Sequence, residues 1–397
     1  MRSVPPPLGN RPWVAYIVPF PYPWGQAGSR RVDGISRSIA ATGRDVVVYA
    51  MPGHGERSAG RRLVVTDSKT AATVSTINRP GLPSHPIRRQ WTHHVRGVAD
   101  ALERIPGASS GLPSHVLVYG TTATPLFQAM KWGKRHNVPV ILDVVERYAP
   151  QQFSGGRFAP GYVFASLGFA ALAPRVDGVI AISRHLESHF ARTGVPTVRV
   201  PPTLAVDEVP VGAPSAGFSV GYFGSPGRKD LLDVVVDAFV DVRRATGRQD
   251  LRLVIGGPGT REALEARELA GVELVGNLPQ NEVSSLVGRL FATVLARPPA
   301  RYADAGFPTK VVESLAVGTP VICNITSDLA EVVRDGETGW ISDSPTVGGF
   351  VAAFSRAVQT TEHQRREMRL AARQTAESVF DLSNYVESLD DFLKRSE

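Results

Sequence analysis

The sequence holds a single cysteine, Cys323, in 397 residues. It can form no intrachain disulfide, and no Cys/His set has zinc-ligand spacing, so a disulfide scaffold and a structural zinc site are excluded. No uninterrupted apolar run approaches the roughly 20 residues that span a bilayer as a helix. A G-x-G-x-x-G turn is also missing: "GQAGS" (25–29) and "GGPGT" (256–260) are glycine-rich but wrongly spaced, which disfavours a dinucleotide oxidoreductase. There is no G-x-x-x-x-G-K-[ST] loop, G-x-S-x-G elbow or H-E-x-x-H helix, which removes the commonest hydrolase and kinase readings. The start, "MRSVPPPLGNRPWVAYIVPF", lacks a charged segment followed by a helical apolar region, and reads as cytoplasmic.

Acidic residues are scarce in one half. Residues 1–203 carry 24 Lys+Arg against 10 Asp+Glu, giving +14, while 204–397 carry 20 against 27, giving −7. A basic half suits an anionic membrane surface, an acidic substrate or nucleic acid. The basic residues are scattered singly, with no dense run or aromatic ladder, which ranks nucleic acid last.

The length points to two or three domains. Six strand-like runs occupy the first half: "WVAYIV" (13–18), "DVVVYA" (45–50), "HVLVYG" (115–120), "PVILDV" (139–144), "DGVIAIS" (177–183) and "PTVRVPP" (196–202). "TLAVDEVPVGAPSAG" (203–217) reads as an interdomain linker. Six more follow: "FSVGYFG" (218–224), "LRLVIGG" (251–257), "VELVG" (272–276), "FATVLARP" (291–298), "PVICN" (320–324) and "GWIS" (339–342). Helical stretches separate most of them, so two α/β domains with doubly wound parallel sheets are expected. The boundaries are expected at 1–203 and 204–379, with 380–397 completing the first domain. The final segment, 363–397, reads as helical with a break at "FDLSN".

The segment "GFPTKVVESLAVGTPVICN" (306–324) is the most informative. Pro308 suits a first helical position, Val311, Val312, Leu315 and Ala316 form an apolar stripe, and Gly318 ends the helix. Val321, Ile322 and Cys323 then read as a buried strand, with Cys323 a core residue. Lys310 and Glu313 lie one turn apart near a helix N-terminus, where an anion is favoured. They could bind a ligand with phosphates and hydroxyls, or form an i,i+3 ion pair on a solvated face. His93, His94 and His115 could titrate as bases, although His115 sits where a strand begins and "THH" suits an exposed helix.

The run "FPTKVVESLAVGTPVI" followed by "SDLAEVVRDGETGWI" resembles the GT-B glycosyltransferases, specifically the large retaining family 4-like group of bacterial glycan, glycolipid and natural-product assembly. The resemblance covers nearly the whole chain. It implies two Rossmann-like domains facing across a cleft, a C-terminal helix crossing back to the first, and a metal-independent hexosyltransferase using a nucleoside diphosphate sugar, UDP foremost, as co-substrate.

In that family two Glu residues stand eight positions apart, the second binding the donor's ribose. Glu313 matches the second, while Ala305, beside Asp304, occupies the first, a departure that leaves the donor sugar open. A variant branch places Pro and Lys before the Glu, as Pro308 and Lys310 do, so Gly306, Phe307, Pro308, Thr309, Lys310 and Glu313 are implied donor contacts. In "GYFGSPGRKD", Gly224 and Ser225 would shape the phosphate turn and Arg228 and Lys229 would neutralise the diphosphate, Lys229 foremost. Gly276, Asn277 and Leu278 would hold the base. Gly25, Gly28 and Arg30 would face the donor phosphates from the first domain, where a plain strand–helix turn reads equally well. Glu146 and Tyr148 would serve the acceptor side, Asp143 being structural. Partners implied are a nucleotide-sugar donor and an unidentified small-molecule, glycan or lipid-linked acceptor, with no nucleic acid; the basic first domain leaves peripheral docking at the inner membrane face open beside a soluble acceptor. A nucleotide-sugar epimerase of the same fold and a catalytically silent binding module remain alternatives.

Overall fold

A computed structural model describes residues 11–23, 27–51, 61–78, 98–105, 111–215, 217–226 and 229–396. The backbone forms two compact units, Met1–Leu204 with Leu382–Glu397, and Ala205–Asp381.

The first unit is built on eight strands: β1 (Trp13–Pro21), β2 (Asp45–Met51), β3 (Arg61–Thr66), β4 (Thr73–Asn78), β5 (His115–Tyr119), β6 (Val140–Val144), β7 (Gly178–Ala181) and β8 (Thr197–Arg199). Their order is β3-β4-β2-β1-β5-β6-β7-β8, parallel throughout except for the β3/β4 pair. The sequence reading found six of the eight. β3 opens on Arg61 and Arg62, and β4 is "TVSTIN", so neither shows the Val/Ile run of a strand covered on both faces. In β4 the buried hydroxyls are satisfied locally: Ser75 and Thr76 donate to the carbonyls of Val46 and Val48. Three helices of this unit matter below: α1 (Ala27–Ala41), α2 (Ala123–His136) and α3 (Pro160–Leu167).

The second unit holds β9 (Ser219–Phe223), β10 (Arg252–Gly256), β11 (Val272–Gly276), β12 (Ala292–Leu295), β13 (Val321–Asn324) and β14 (Gly339–Ser342), all parallel, in the order β11-β10-β9-β12-β13-β14. These six coincide with the apolar runs of the sequence. Its helices include α4 (Leu232–Thr246), α5 (Thr309–Ala316) and α6 (Glu362–Phe380). Cys323 is fully buried in β13, and burial pushes its thiol up to about 12.

The stretch 205–215 is not a free linker. Gly212 donates to the Val317 carbonyl at 2.9 Å, and a Cβ on it would lie 2.3 Å from the Gly288 backbone. Arg373 of α6 donates to the Val206 and Val209 carbonyls, and Arg369 to that of Gly212. The segment is therefore packed onto the second unit, and the crossing falls between Leu204 and Ala205. The chain returns after Asp381: Leu382 donates to the Leu204 carbonyl at 3.0 Å, and α7 (Val386–Ser396) buries Leu389, Phe392 and Leu393 in the first unit. His115 is fully buried with Nε2 at 3.1 Å from the Leu393 carbonyl, so it anchors α7 and is no surface base. His93 and His94 lie outside the described residues.

Candidate functional site

In the second sheet the chain proceeds outward from β9 to β10 and β11, then reverses to β12, β13 and β14. The β9/β12 boundary is thus the topological switch point, and ligands of open α/β sheets bind beyond the carboxyl ends of the strands at such a point. Four polar side chains converge there: Tyr222 near the end of β9, Asp230 before α4, Arg297 beyond β12 and Lys310 in the first turn of α5.

Asp230 is the hub. Its carboxylate accepts from the Tyr222 hydroxyl at 2.8 Å and from the Lys310 ammonium, and lies 3.8 Å from Arg297 Nε. Lys310 also donates to the Tyr222 hydroxyl at 3.0 Å and sits 4.2 Å above that ring's centroid, a cation–π contact. Burial lowers the Lys310 pKa; Asp230 opposes this, while Arg297 and Lys229 add to it. The Tyr222 hydroxyl is raised well beyond its ordinary value, by burial first and then by Asp230. Arg297 is buried, and its Nε and Nη1 have no hydrogen-bond partner among the described residues. Two cations thus share one carboxylate, leaving a surplus positive charge where an anionic ligand would sit.

The backbone at this edge is opened by glycines. Gly224 has φ +143°, and a Cβ on it would lie 2.5 Å from Lys310 Cε. Gly257, at φ +126°, would bring a Cβ within 2.3 Å of the Gly224 carbonyl oxygen. Gly224 donates to the Gly256 carbonyl and Gly257 to that of Gly276, at 2.8 and 2.7 Å. Only glycine accommodates both the backbone conformation and this approach at Gly224 and Gly257.

Residues proposed from the sequence distribute unevenly around this cluster. Lys310 and half-buried Glu313 line one small crevice with Phe223, Thr293 and Leu295. Lys310 turns its ammonium to Asp230 and Tyr222, directly beneath the Gly224 turn. Lys229 and Ser225 are exposed on that turn, Lys229 donating through its backbone to the Pro226 carbonyl; Arg228 lies outside the described residues. Pro308 caps α5 from an extended conformation rather than opening it, and Thr309 is its first residue. Gly306 and Pro308 are buried, and the Phe307 ring packs edge-on against Phe380 at 5.6 Å, so its side chain belongs to the core. Ala305 is fully buried and Asp304 exposed. Gly276, at φ +71°, and Asn277 are exposed at the end of β11, with Leu278 half-buried. Asp230, Tyr222 and Arg297 were not singled out from sequence. The available signal was a charge directly after a strand-like run, in "LARP" and "GRKD".

In the first unit the corresponding switch point lies between β1 and β5. Gly28, in the first turn of α1, would bring a Cβ within 2.7 Å of the Phe20 ring and 3.1 Å of the Tyr119 hydroxyl. Neighbouring Arg30 is held down to about 10 by burial, and Gly25 lies outside the described residues. Asp143 is structural: it accepts from Tyr16 at 2.5 Å and from Arg31 Nε and Nη2 at 2.9 and 2.6 Å, while Arg31 Nη1 donates to the Val200 carbonyl. Glu146 accepts from Gln152 Nε2 at 2.6 Å, and half-buried Tyr148 packs edge-on against Phe153.

The fold is shared with solved proteins. Sucrose-phosphate synthase from Thermosynechococcus elongatus superposes with a TM-score of 0.73 at 14% identity, over 97% of this chain and 99% of that one. Anabaena HepE, solved with UDP-glucose, gives 0.64 at 15% identity, over 96% and 99%. These likenesses define a GT-B architecture. The family described as "Glycosyl transferase 4-like domain" matches residues 27–203, and "Glycosyl transferases group 1" matches residues 214–375. The chain belongs to the GT-B glycosyltransferases of the family 4 type. Among curated relatives, glycogen synthase of Mycobacterium tuberculosis is 33% identical over 135 residues, 32% of this chain and 31% of that protein. The GDP-mannose-dependent alpha-(1-6)-phosphatidylinositol dimannoside mannosyltransferase of the same organism is 26% identical over 264 residues, 62% of this chain and 65% of that one. The chain thus spans about a third of the first of these relatives and just under two thirds of the second.

Proposed function

We propose that this protein is a retaining, metal-independent glycosyltransferase that moves a hexosyl group from a nucleoside diphosphate sugar, UDP foremost, to an acceptor hydroxyl. The observation that carries the reading is the surplus cation at the β9/β12 switch point, beneath a glycine turn open to a diphosphate. In the reaction the acceptor oxygen forms its bond to the anomeric carbon on the face from which the sugar–phosphate bond breaks. The acceptor's proton passes to a donor phosphate oxygen. Negative charge grows on the departing diphosphate, and fixed cations that meet it there lower the barrier more than they tighten ground-state binding. Lys229 on the turn and the Lys310–Arg297 pair beneath it supply that charge, and Arg228 is assigned the same role from sequence. Glu313 takes the ribose hydroxyls and the exposed backbone of Gly276 to Leu278 the base; Gly28 and Glu146 keep the donor and acceptor roles assigned to them from sequence. HepE's bound UDP-glucose supports UDP. The basic half of the chain is assigned to an anionic membrane surface, with no role in binding nucleic acid.

Incubating the protein with a panel of radiolabelled sugar nucleotides tests this. Slow hydrolysis of a uridine diphosphate sugar, accelerated by an acceptor, is expected. Isomerised sugar would instead mean an epimerase, and inertness without nucleotide binding a silent module.

A further inference from the structure

Four large apolar side chains stand in solvent along one stretch of the first unit. Phe127 on α2 is 56% exposed, Phe158 just before α3 is 83% exposed, and Val163 and Leu167 on α3 are 46% and 53% exposed. α3, "PGYVFASL", contains no charged residue, and α2 and α3 pack against one another. Phe127 also borders a groove of about 730 Å³ whose walls combine Met130 and Leu172 with Lys131, Lys134 and Arg175.

The charge around this face is predominantly positive: Asp177 also lines the groove, its carboxylate accepting from the Val140 N–H at 2.7 Å, against the three cations Lys131, Lys134 and Arg175. Between 123 and 175 the acids are Asp143 and Glu146; Asp143 is bonded internally to Arg31 and Glu146 to Gln152. Lys131, Lys134, Arg135, Arg157 and Arg175 are all exposed. A second copy docking through the same face would bring these cations against their own counterparts, as a twofold interface requires. Anionic lipid meets both halves of the pattern. Exposed aromatic and aliphatic side chains enter the headgroup boundary, and each basic residue near an anionic surface strengthens binding severalfold.

We propose that this face docks the protein onto an anionic lipid surface, with Phe127, Phe158, Val163 and Leu167 entering the interface and Lys131, Lys134 and Arg175 holding phosphate headgroups at the groove. The inference rests on the reading that the basic half meets a membrane; it uses no donor-site residue.

Flotation of the full chain with vesicles of phosphatidylcholine alone, and of phosphatidylcholine mixed with phosphatidylglycerol, tests it. Binding to the mixed vesicles is expected, and much weaker binding to phosphatidylcholine alone. The double variant Lys131→Glu, Lys134→Glu should weaken it by about tenfold or more, given the per-residue contribution of basic groups. Phe158→Ser should abolish the part that survives high salt. Both substitutions are at exposed positions, and unchanged thermal melts will show that the variants fold. Failure of the wild type to float with anionic vesicles at low salt overturns the proposal, as does undiminished binding by the charge-reversed variant. A solution dimer that Phe158→Ser dissociates, with no flotation, assigns the face to a second copy instead. Calorimetry with UDP on the same preparations separates the two readings: the surface variants should bind it like wild type, and loss of UDP binding with intact flotation would strike the donor site alone.

Discussion

Each unit buries a cation against an aspartate and a tyrosine, and the two clusters balance differently. In the first, Arg31 and Asp143 form a one-to-one pair joined by Tyr16, with Arg31 also donating to the Val200 carbonyl. In the second, Asp230 serves Lys310, Tyr222 and Arg297 together, and Arg297 retains nitrogens without hydrogen bonds among the described residues. A balanced and fully bonded pair fixes strands and has little left to offer a ligand. An unbalanced one is costly on its own, because a buried cation without a matched anion loses hydration it does not recover. That cost is relieved if an anion arrives. The same residue types therefore build a structural tie in one sheet and a receptive field in the other.

Breaking the balanced pair should have the largest effect. Arg31→Met leaves Asp143 buried without its cation and should lower unfolding free energy by about 3–5 kcal/mol, read as a shift of the urea midpoint. A loss below about 1 kcal/mol would mean that the pair is not the tie described. The folded fraction should still bind UDP. Lys310→Met should reverse that profile: UDP affinity falling by about 1.5–3 kcal/mol, the range for hydrogen bonds to charged groups, with a smaller change in stability because the lysine is partly exposed. Glu313→Ala should weaken UDP binding by about 1–3 kcal/mol; unchanged affinity in a folded variant removes it from the ribose. For Lys229→Ala, turnover should fall about tenfold, about 1.4 kcal/mol of barrier, with donor KM little altered. Equal activity would move that role to Arg228 or Lys310.

The smallest effect is in pH. Lys310 titrates below its ordinary 10.5 in the folded chain, chiefly through burial. UDP prefers the charged form, so affinity should be full below the folded pKa and decline as pH rises through it, ahead of 10.5. Folding stability takes the opposite sign. The unfolded chain holds the proton more tightly, so the Lys310 contribution becomes more favourable as pH rises through the same window. Lys310→Arg should flatten the affinity profile; an unchanged decline would assign the titration to another group.

Strands covered on both faces, such as "VILDV" and "PVICN", are legible because apolar residues dominate them, the one polar residue in each, Asp143 and Asn324, being bonded in the fold. β3 and β4 are not: β3 opens on two arginines, and the hydroxyls of Ser75 and Thr76 in β4 are satisfied by strand carbonyls that only the folded sheet brings near. The placement of Lys310 and Glu313 on one crevice was legible as helical spacing. Asp230, 80 residues from Lys310, was not, although it is the carboxylate that Lys310 bonds in the folded chain. The Pro- and Gly-rich stretch after Leu204 reads as a linker for the same reason: its anchors, Arg369 and Arg373, lie more than 150 residues away.

The most direct measurement compares UDP with uridine by calorimetry, on the wild type and on Lys310→Met. If a surplus cation at the β9/β12 switch point holds the diphosphate, UDP should bind the wild type at least about tenfold more tightly than uridine, a difference of about 1.4 kcal/mol. Lys310→Met should remove most of that difference while leaving uridine affinity in place. Equal affinities for UDP and uridine in the wild type, or a difference that survives the substitution intact, would contradict the account.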